Sequence, residues 1–140
     1  MEQLHTSRLR AGLNGKTGGL IGDGESNEGT VWEAALLASH HKLDNLVCII
    51  DHNHTTDRAV SVGDMVAKFR AFDWKAVSVN GHNQKELYKA VLLPHPGKPL
   101  AIVAETIKGY GSKTMEEDPS WHHRSPTKDE FKQMVKELRS

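Results

Sequence analysis

The sequence predicts an α/β fold, an open parallel sheet with helices on both faces. Leu46 to Ile50 and Leu100 to Ala104 are continuous apolar runs, the kind that parallel strands show when both faces are buried. Shorter apolar runs lie at Gly19 to Ile21 and Ala76 to Val79. Helical apolar spacing fills the segments between, and strands alternating with helices are the pattern of a parallel sheet under helical cover.

In chain order, the first run is a short strand that ends in Gly22-Asp23-Gly24-Glu25. A helix is expected from Glu28 to His41 on Val31, Ala34, Ala35, Leu37 and Ala38. The strand at 46–50 contains Cys48, the only cysteine, read as a small buried hydrophobe. A second helix, Gly63 to Trp74, carries Met65, Val66, Phe69 and Phe72. After the strand at 76–79, Asn83 is a suitable N-cap for a helix over Gln84 to Leu93, built on Leu87, Ala90 and Val91 and closed by Pro94, Pro96 and Gly97. The last strand, 100–104, leads into a long Gly- and charge-rich loop, Lys108 to Ser125, with Trp121-His122-His123, a candidate lid or active-site loop. An amphipathic helix from Thr127 to Arg139 closes the chain with Phe131, Met134, Val135 and Leu138 in one stripe. Trp32 and Trp74 are read as core or interface aromatics.

The 140 residues suit one domain, 1–140, with no internal repeat or long linker. Eighteen basic residues balance eighteen acidic ones, so no nucleic-acid partner is indicated. A single cysteine offers no disulfide framework and favours a reducing compartment. Neither a signal-like N-terminus nor a membrane-length apolar stretch is present, and a cytoplasmic location is expected.

Function is concentrated at the strand ends. In open parallel sheets ligands bind beyond the carboxyl ends of the strands, where both Asp23 and Asn53 fall. A carboxylate and an amide oxygen suit Mg²⁺, which binds through one or two protein groups together with phosphates. Glycines at 22 and 24 would let phosphates approach the backbone. Asp23 and Asn53 could instead only shape turns, and the glutamates at 28 and 33 could simply favour a helix start. His40-His41 and His52-x-His54 invite zinc, but neither spacing supplies a closed set with cysteines, so zinc is not expected.

Gly22-Asp23-Gly24 followed by Asn53 resembles the thiamine diphosphate motif. Asn27-Glu28-Gly29, Trp32-Glu33-Ala34-Ala35, His40-His41-Lys42-Leu43-Asp44-Asn45-Leu46, and Ile107-Lys108-Gly109 with Trp121-His122 widen the resemblance to transketolase over residues 19–139. It is closest to the diphosphate-binding module encoded as a separate N-terminal subunit. The resemblance implies thiamine diphosphate and Mg²⁺ as cofactors, with Asp23, Asn53 and the Thr55 carbonyl as metal ligands. Gly22, Gly24 and Glu25 would line the diphosphate site, Glu28 and Glu33 would lie at a subunit contact coupling two sites, and His122 would face substrate.

The implied reaction moves a two-carbon ketol unit between sugar phosphates. Only Met1 to Gly18 precede the motif, so a module truncated at its N-terminus is expected. The pyrimidine-binding module is not matched anywhere, so a homodimer, a partner subunit, or both would complete the site. The alternative is a non-catalytic transketolase-like assembly or binding protein.

Overall fold

The structure, a computed structural model, describes residues 15–139. Most of the segment expected to stand in for the family's N-terminal region lies outside them. The chain divides into two compact units, Met1–Glu105 and Thr106–Ser140.

The first unit is a four-stranded parallel sheet. Its strands are β1 (Thr17–Gly22), β2 (Leu46–His52), β3 (Lys75–Asn80) and β4 (Leu100–Glu105), in the spatial order β1-β2-β4-β3. Between them lie α1 (Gly29–His40), α2 (Met65–Ala71) and α3 (Gln84–Val91). The step from β3 back to β4 reverses direction across the sheet, and with a constant crossover hand such a reversal puts its helix on the opposite face. The core divides accordingly. Ala35 and Ala38 of α1 and Met65 and Phe69 of α2 pack with Ile21, Ile50, Ala101 and Val103, whereas Ala90 of α3 packs with Val47, Leu100 and Ile102. Alternate residues of β2 and β4 thus enter different cores, as the two continuous apolar runs predict.

β1 is longer than expected. It starts at Thr17, whose N–H donates to Asn45 O at 2.8 Å, and it pairs with β2 through Gly22 against Asp51, because glycines can still fill ladder positions. α2 is shorter than expected. Gly63 has a positive φ of 60° and Asp64 caps the helix at Ala67 N (2.8 Å), while Asp73, at φ 63°, ends it with Trp74 N bonded back to Phe69 O. On α1, Leu37 is exposed rather than buried, as is Leu36, because this helix meets the sheet through its small Ala35 and Ala38.

Asn83 caps α3 by accepting from Lys85 N and Glu86 N at 3.1 and 3.3 Å. Asn83→Ala is expected to destabilise the protein by about 1 kcal/mol, read as a lower urea midpoint at unchanged m-value. Among the described residues, no helix is long and apolar enough to cross a membrane.

The second unit carries α4 (Lys128–Glu137), opened by a capping box between Thr127 and Glu130. Met134 of the expected stripe is buried and Val135 half-buried, but Phe131 and Leu138 are exposed. The 108–125 segment is held by polar contacts instead. Glu137 accepts from Ser112 Oγ (2.7 Å), Thr114 N (3.1 Å), Thr114 Oγ1 (2.7 Å) and Gln133 Nε2 (3.1 Å). These donors, the Ser112 hydroxyl first, hold its carboxyl at about 2, below the ordinary 4.5. A carboxyl with a depressed folded value stabilises fully above about pH 4.5, and that contribution is lost as pH falls toward about 2. Glu137→Gln should therefore flatten the acid limb of a melting-temperature profile in this window.

Candidate functional site

The loops after β1 and β2 meet at the carboxyl edge of the sheet. Asp23 N donates to Asp51 O at 3.0 Å, one rung beyond the Gly22–Asp51 pair, so Asp23 and Asn53 leave adjacent strand ends. A tight turn follows Asp23. Glu25 Oε2 accepts from Gly22 N at 2.7 Å, Ser26 Oγ donates to Gly22 O at 3.1 Å, and Ser26 N donates to Asp23 O at 3.1 Å. Trp32 of α1 fixes the turn from below by donating Nε1–H to Ser26 O at 2.9 Å.

The second loop is also internally tied. Asn53 Nδ2 donates to Asp51 Oδ2 at 3.2 Å, and Asn53 Oδ1 accepts from Thr55 N at 3.1 Å and from the Thr55 hydroxyl. His54 takes the left-handed conformation, φ 61°, to make this reversal. Asn27 Nδ2 joins the two loops by donating to Thr56 Oγ1 (3.2 Å) and Val60 O (3.3 Å).

Two features of this corner are left over by the fold. Asp23 is 4 % exposed, and its Oδ2 is the one buried side-chain oxygen or nitrogen among the described residues without a hydrogen-bond partner. Leaving such a group unsatisfied costs roughly 1–3 kcal/mol, and more for a charge. Gly24 has ordinary helical backbone (φ −62°), and nothing lies within 4 Å of where its Cβ would be. Its missing side chain keeps the surface beside Asp23 open.

The remaining expected residues are spread out. Glu28 is the exposed N-cap residue of α1, without a side-chain capping bond, and Glu33 lies exposed on the same helix. His122 belongs to the second unit, where its Nδ1 is 3.2 Å from Lys108 Nζ. Beside it Trp121 is buried, donates to Thr114 O at 3.1 Å and lies 3.4 Å under the Arg124 guanidinium. Cys48 is half-buried, and burial, with the Glu25 carboxylate adding to it, pushes its thiol up to about 12, which makes it inert as a nucleophile.

Sequence reasoning missed the role of Glu105. β2 and β4 pair His52 with Glu105, and His52 Nδ1 is 2.9 Å from Glu105 Oε2. His54 Nε2 reaches the same oxygen at 3.3 Å, while His54 Nδ1 is 2.9 Å from Asp57 Oδ2. The hydrogen bond to Asp57 raises the His54 imidazole above its ordinary 6.5 and lowers the Asp57 carboxyl. Residue types at two strand ends were visible in the sequence, but the register that opposes them was not.

Residues 13–139 match the family described as "Transketolase, thiamine diphosphate binding domain". The chain belongs to this family. It is 35% identical over 131 residues to a subunit of the apulose-4-phosphate transketolase of Phocaeicola vulgatus, covering 88% of this chain and 46% of that protein. It is 42% identical over 127 residues to human transketolase, covering 86% of this chain and 20% of the relative. Among solved structures, transketolase from Campylobacter jejuni superposes with a TM-score of 0.77 at 28% identity, over 89% of this chain and 20% of that one. The chain thus spans less than half the length of these relatives. The doubly covered parallel sheet is the fold of the transketolase diphosphate-binding module, as the sequence resemblance implied.

Proposed function

We propose that this chain is the diphosphate-binding subunit of a transketolase-type transferase, with residues 1–140 acting as one module. Mg²⁺ would be held by Asp23, Asn53 and the Thr55 carbonyl, and the diphosphate would lie along Gly22, Gly24 and Glu25. The observation that carries this reading is the buried, unpartnered Asp23 Oδ2 beside the open surface at Gly24. A hard cation bound by oxygen would give that carboxylate the partner the fold withholds. Asn53 Oδ1 accepts from both Thr55 N and the Thr55 hydroxyl, so it would exchange the hydroxyl bond for the metal while its Nδ2 bond to Asp51 holds the side chain.

Bound thiamine diphosphate supplies the electron sink for transfer of a two-carbon ketol unit between sugar phosphates. The chain's own part is to position that cofactor and, through His122, to exchange protons with substrate hydroxyls. Glu28 and Glu33 would face a second subunit. Exposed Leu36 and Leu37 on the same helix support a contact there, in a homodimer or with a chain carrying the pyrimidine-binding module. Relatives whose names make them transketolase subunits, one from Phocaeicola vulgatus and one for 6-deoxy-6-sulfo-D-fructose in Clostridium, support a divided enzyme, and the single cysteine suits a cytoplasmic location for it.

The test is thermal unfolding of the purified chain with thiamine diphosphate in Mg²⁺, with thiamine diphosphate in EDTA, and with thiamine in Mg²⁺. Only the first should raise the melting temperature. Equal behaviour in all three would show that the chain alone holds no diphosphate, leaving an incomplete half-site or a non-catalytic assembly protein.

A further inference from the structure

The carboxyl edge of the sheet holds a second group of metal-ligand side chains that the cofactor reading does not use. By strand alternation His52 and Glu105 lie on the face covered by α1 and α2, the side to which Ile50 and Val103 also point. The left-handed turn at His54 brings its ring back to 4.1 Å from the His52 ring, and the short turn that follows carries Asp57.

We propose that His52, His54 and Asp57 bind one Zn²⁺, with Glu105 orienting both imidazoles. Ligand atoms offered by these three residues all lie within 4.8 Å of one another. Around a tetrahedral zinc with bonds of about 2.1 Å they would stand about 3.4 Å apart. The difference is within reach of side-chain rotation, because the side chains of His54 and Asp57 are 55% and 35% exposed. His52 is the fixed ligand, its side chain only 10% exposed.

Glu105 supplies the part that a chance cluster lacks. Its Oε2 accepts from Nδ1 of His52 and Nε2 of His54, which leaves His52 Nε2 and His54 Nδ1 as the nitrogens for a cation. A carboxylate behind the imidazole is how metal-binding histidines are held in one tautomer. The ion would take the place of the proton between His54 Nδ1 and Asp57 Oδ2, releasing that proton to solvent.

Two imidazoles and one carboxylate select zinc over Mg²⁺, which prefers oxygen. The lack of cysteines at the histidine spacings counted against zinc in the sequence, but the fold contributes two carboxylates from other positions. Three protein ligands leave one coordination position open. The site rests on side chains other than the oxygen ligands proposed for the diphosphate, although both sets draw on residues 52–57, so the Asp23 variant on the other loop is what tells its failure from theirs.

The test uses the full chain, stripped with EDTA and titrated with Co²⁺ while visible d–d absorption is followed. The expected result is one Co²⁺ per chain with tetrahedral-type bands, displaced by one equivalent of Zn²⁺ and unaffected by excess Mg²⁺. His54→Ala and Asp57→Asn should each weaken Co²⁺ binding at least tenfold, and Glu105→Gln by about 10–100-fold. Asp23→Asn should leave it unchanged. Absence of stoichiometric binding overturns the proposal, as do undiminished binding in His54→Ala and Asp57→Asn with native far-UV dichroism, or loss of binding in Asp23→Asn.

Discussion

Asp23→Asn is expected to melt higher than the wild type without ligand and to gain nothing from Mg²⁺ and thiamine diphosphate. The first half follows from burial. Asp23 is 4 % exposed with Oδ2 unpartnered, and an amide at this position removes the charge while keeping the shape. The amide leaves that position without a partner but takes a charge out of it, and an uncompensated buried charge costs more than an unpartnered neutral group, so the melting temperature without ligand should rise. The second half follows from the proposed ligand role. Wild-type protein at about one hundred times the dissociation constant of its ligand gains about 2.7 kcal/mol, and a variant without the metal carboxylate gains close to none. The order of stability should therefore reverse between apo and liganded samples. A variant that is weaker without ligand and equally stabilised by it would show that Asp23 is only a turn residue.

Phe69→Ala should be the most damaging single truncation in the core. Phe69 is 1% exposed and packs between Trp32 (ring centroids 5.3 Å) and Trp74 (5.2 Å). Deleting a buried phenylalanine costs about 3–5 kcal/mol, a large share of the 5–15 kcal/mol that stabilises an ordinary domain. Urea denaturation followed by far-UV dichroism would show the loss as a lower midpoint, and Phe69→Leu should recover most of it. The damage reaches the candidate site, because Trp32 rests on this ring and hydrogen-bonds the Ser26 carbonyl in the turn that carries Asp23. A loss below about 1 kcal/mol would mean that the aromatic cluster is not a structural centre.

Strand and helix order was legible because the 46–50 and 100–104 runs are apolar without interruption and each helix repeats its apolar positions at helical spacing. Boundaries were less legible where backbone conformation decides them. Gly63 and Asp73 at positive φ shorten α2, and Thr17 and Gly18 are strand residues that only pairing with β2 reveals. Asp23 and Asn53 could be placed at one corner because both follow apolar runs. The His52–Glu105 contact depends on the β2–β4 register, and β4 lies between β2 and β3 for reasons no local pattern states. Phe131 and Leu138 show the converse, a helical stripe only half of which is covered.

The strand order also governs how the chain can assemble as it is made. β3 has a single neighbour in the sheet, β4, which is translated after it. The β1–β2 pair can close early, but β3 has no edge to join until the polypeptide has grown from Asn80 to Glu105. At about 5–20 residues per second, that interval leaves β3 and the underside of α2 uncovered for about 1–5 s on every ribosome. In that window Val77 and Val79 lack Leu100 and Ile102 to pack against, so chaperone engagement should fall once β4 has left the ribosome.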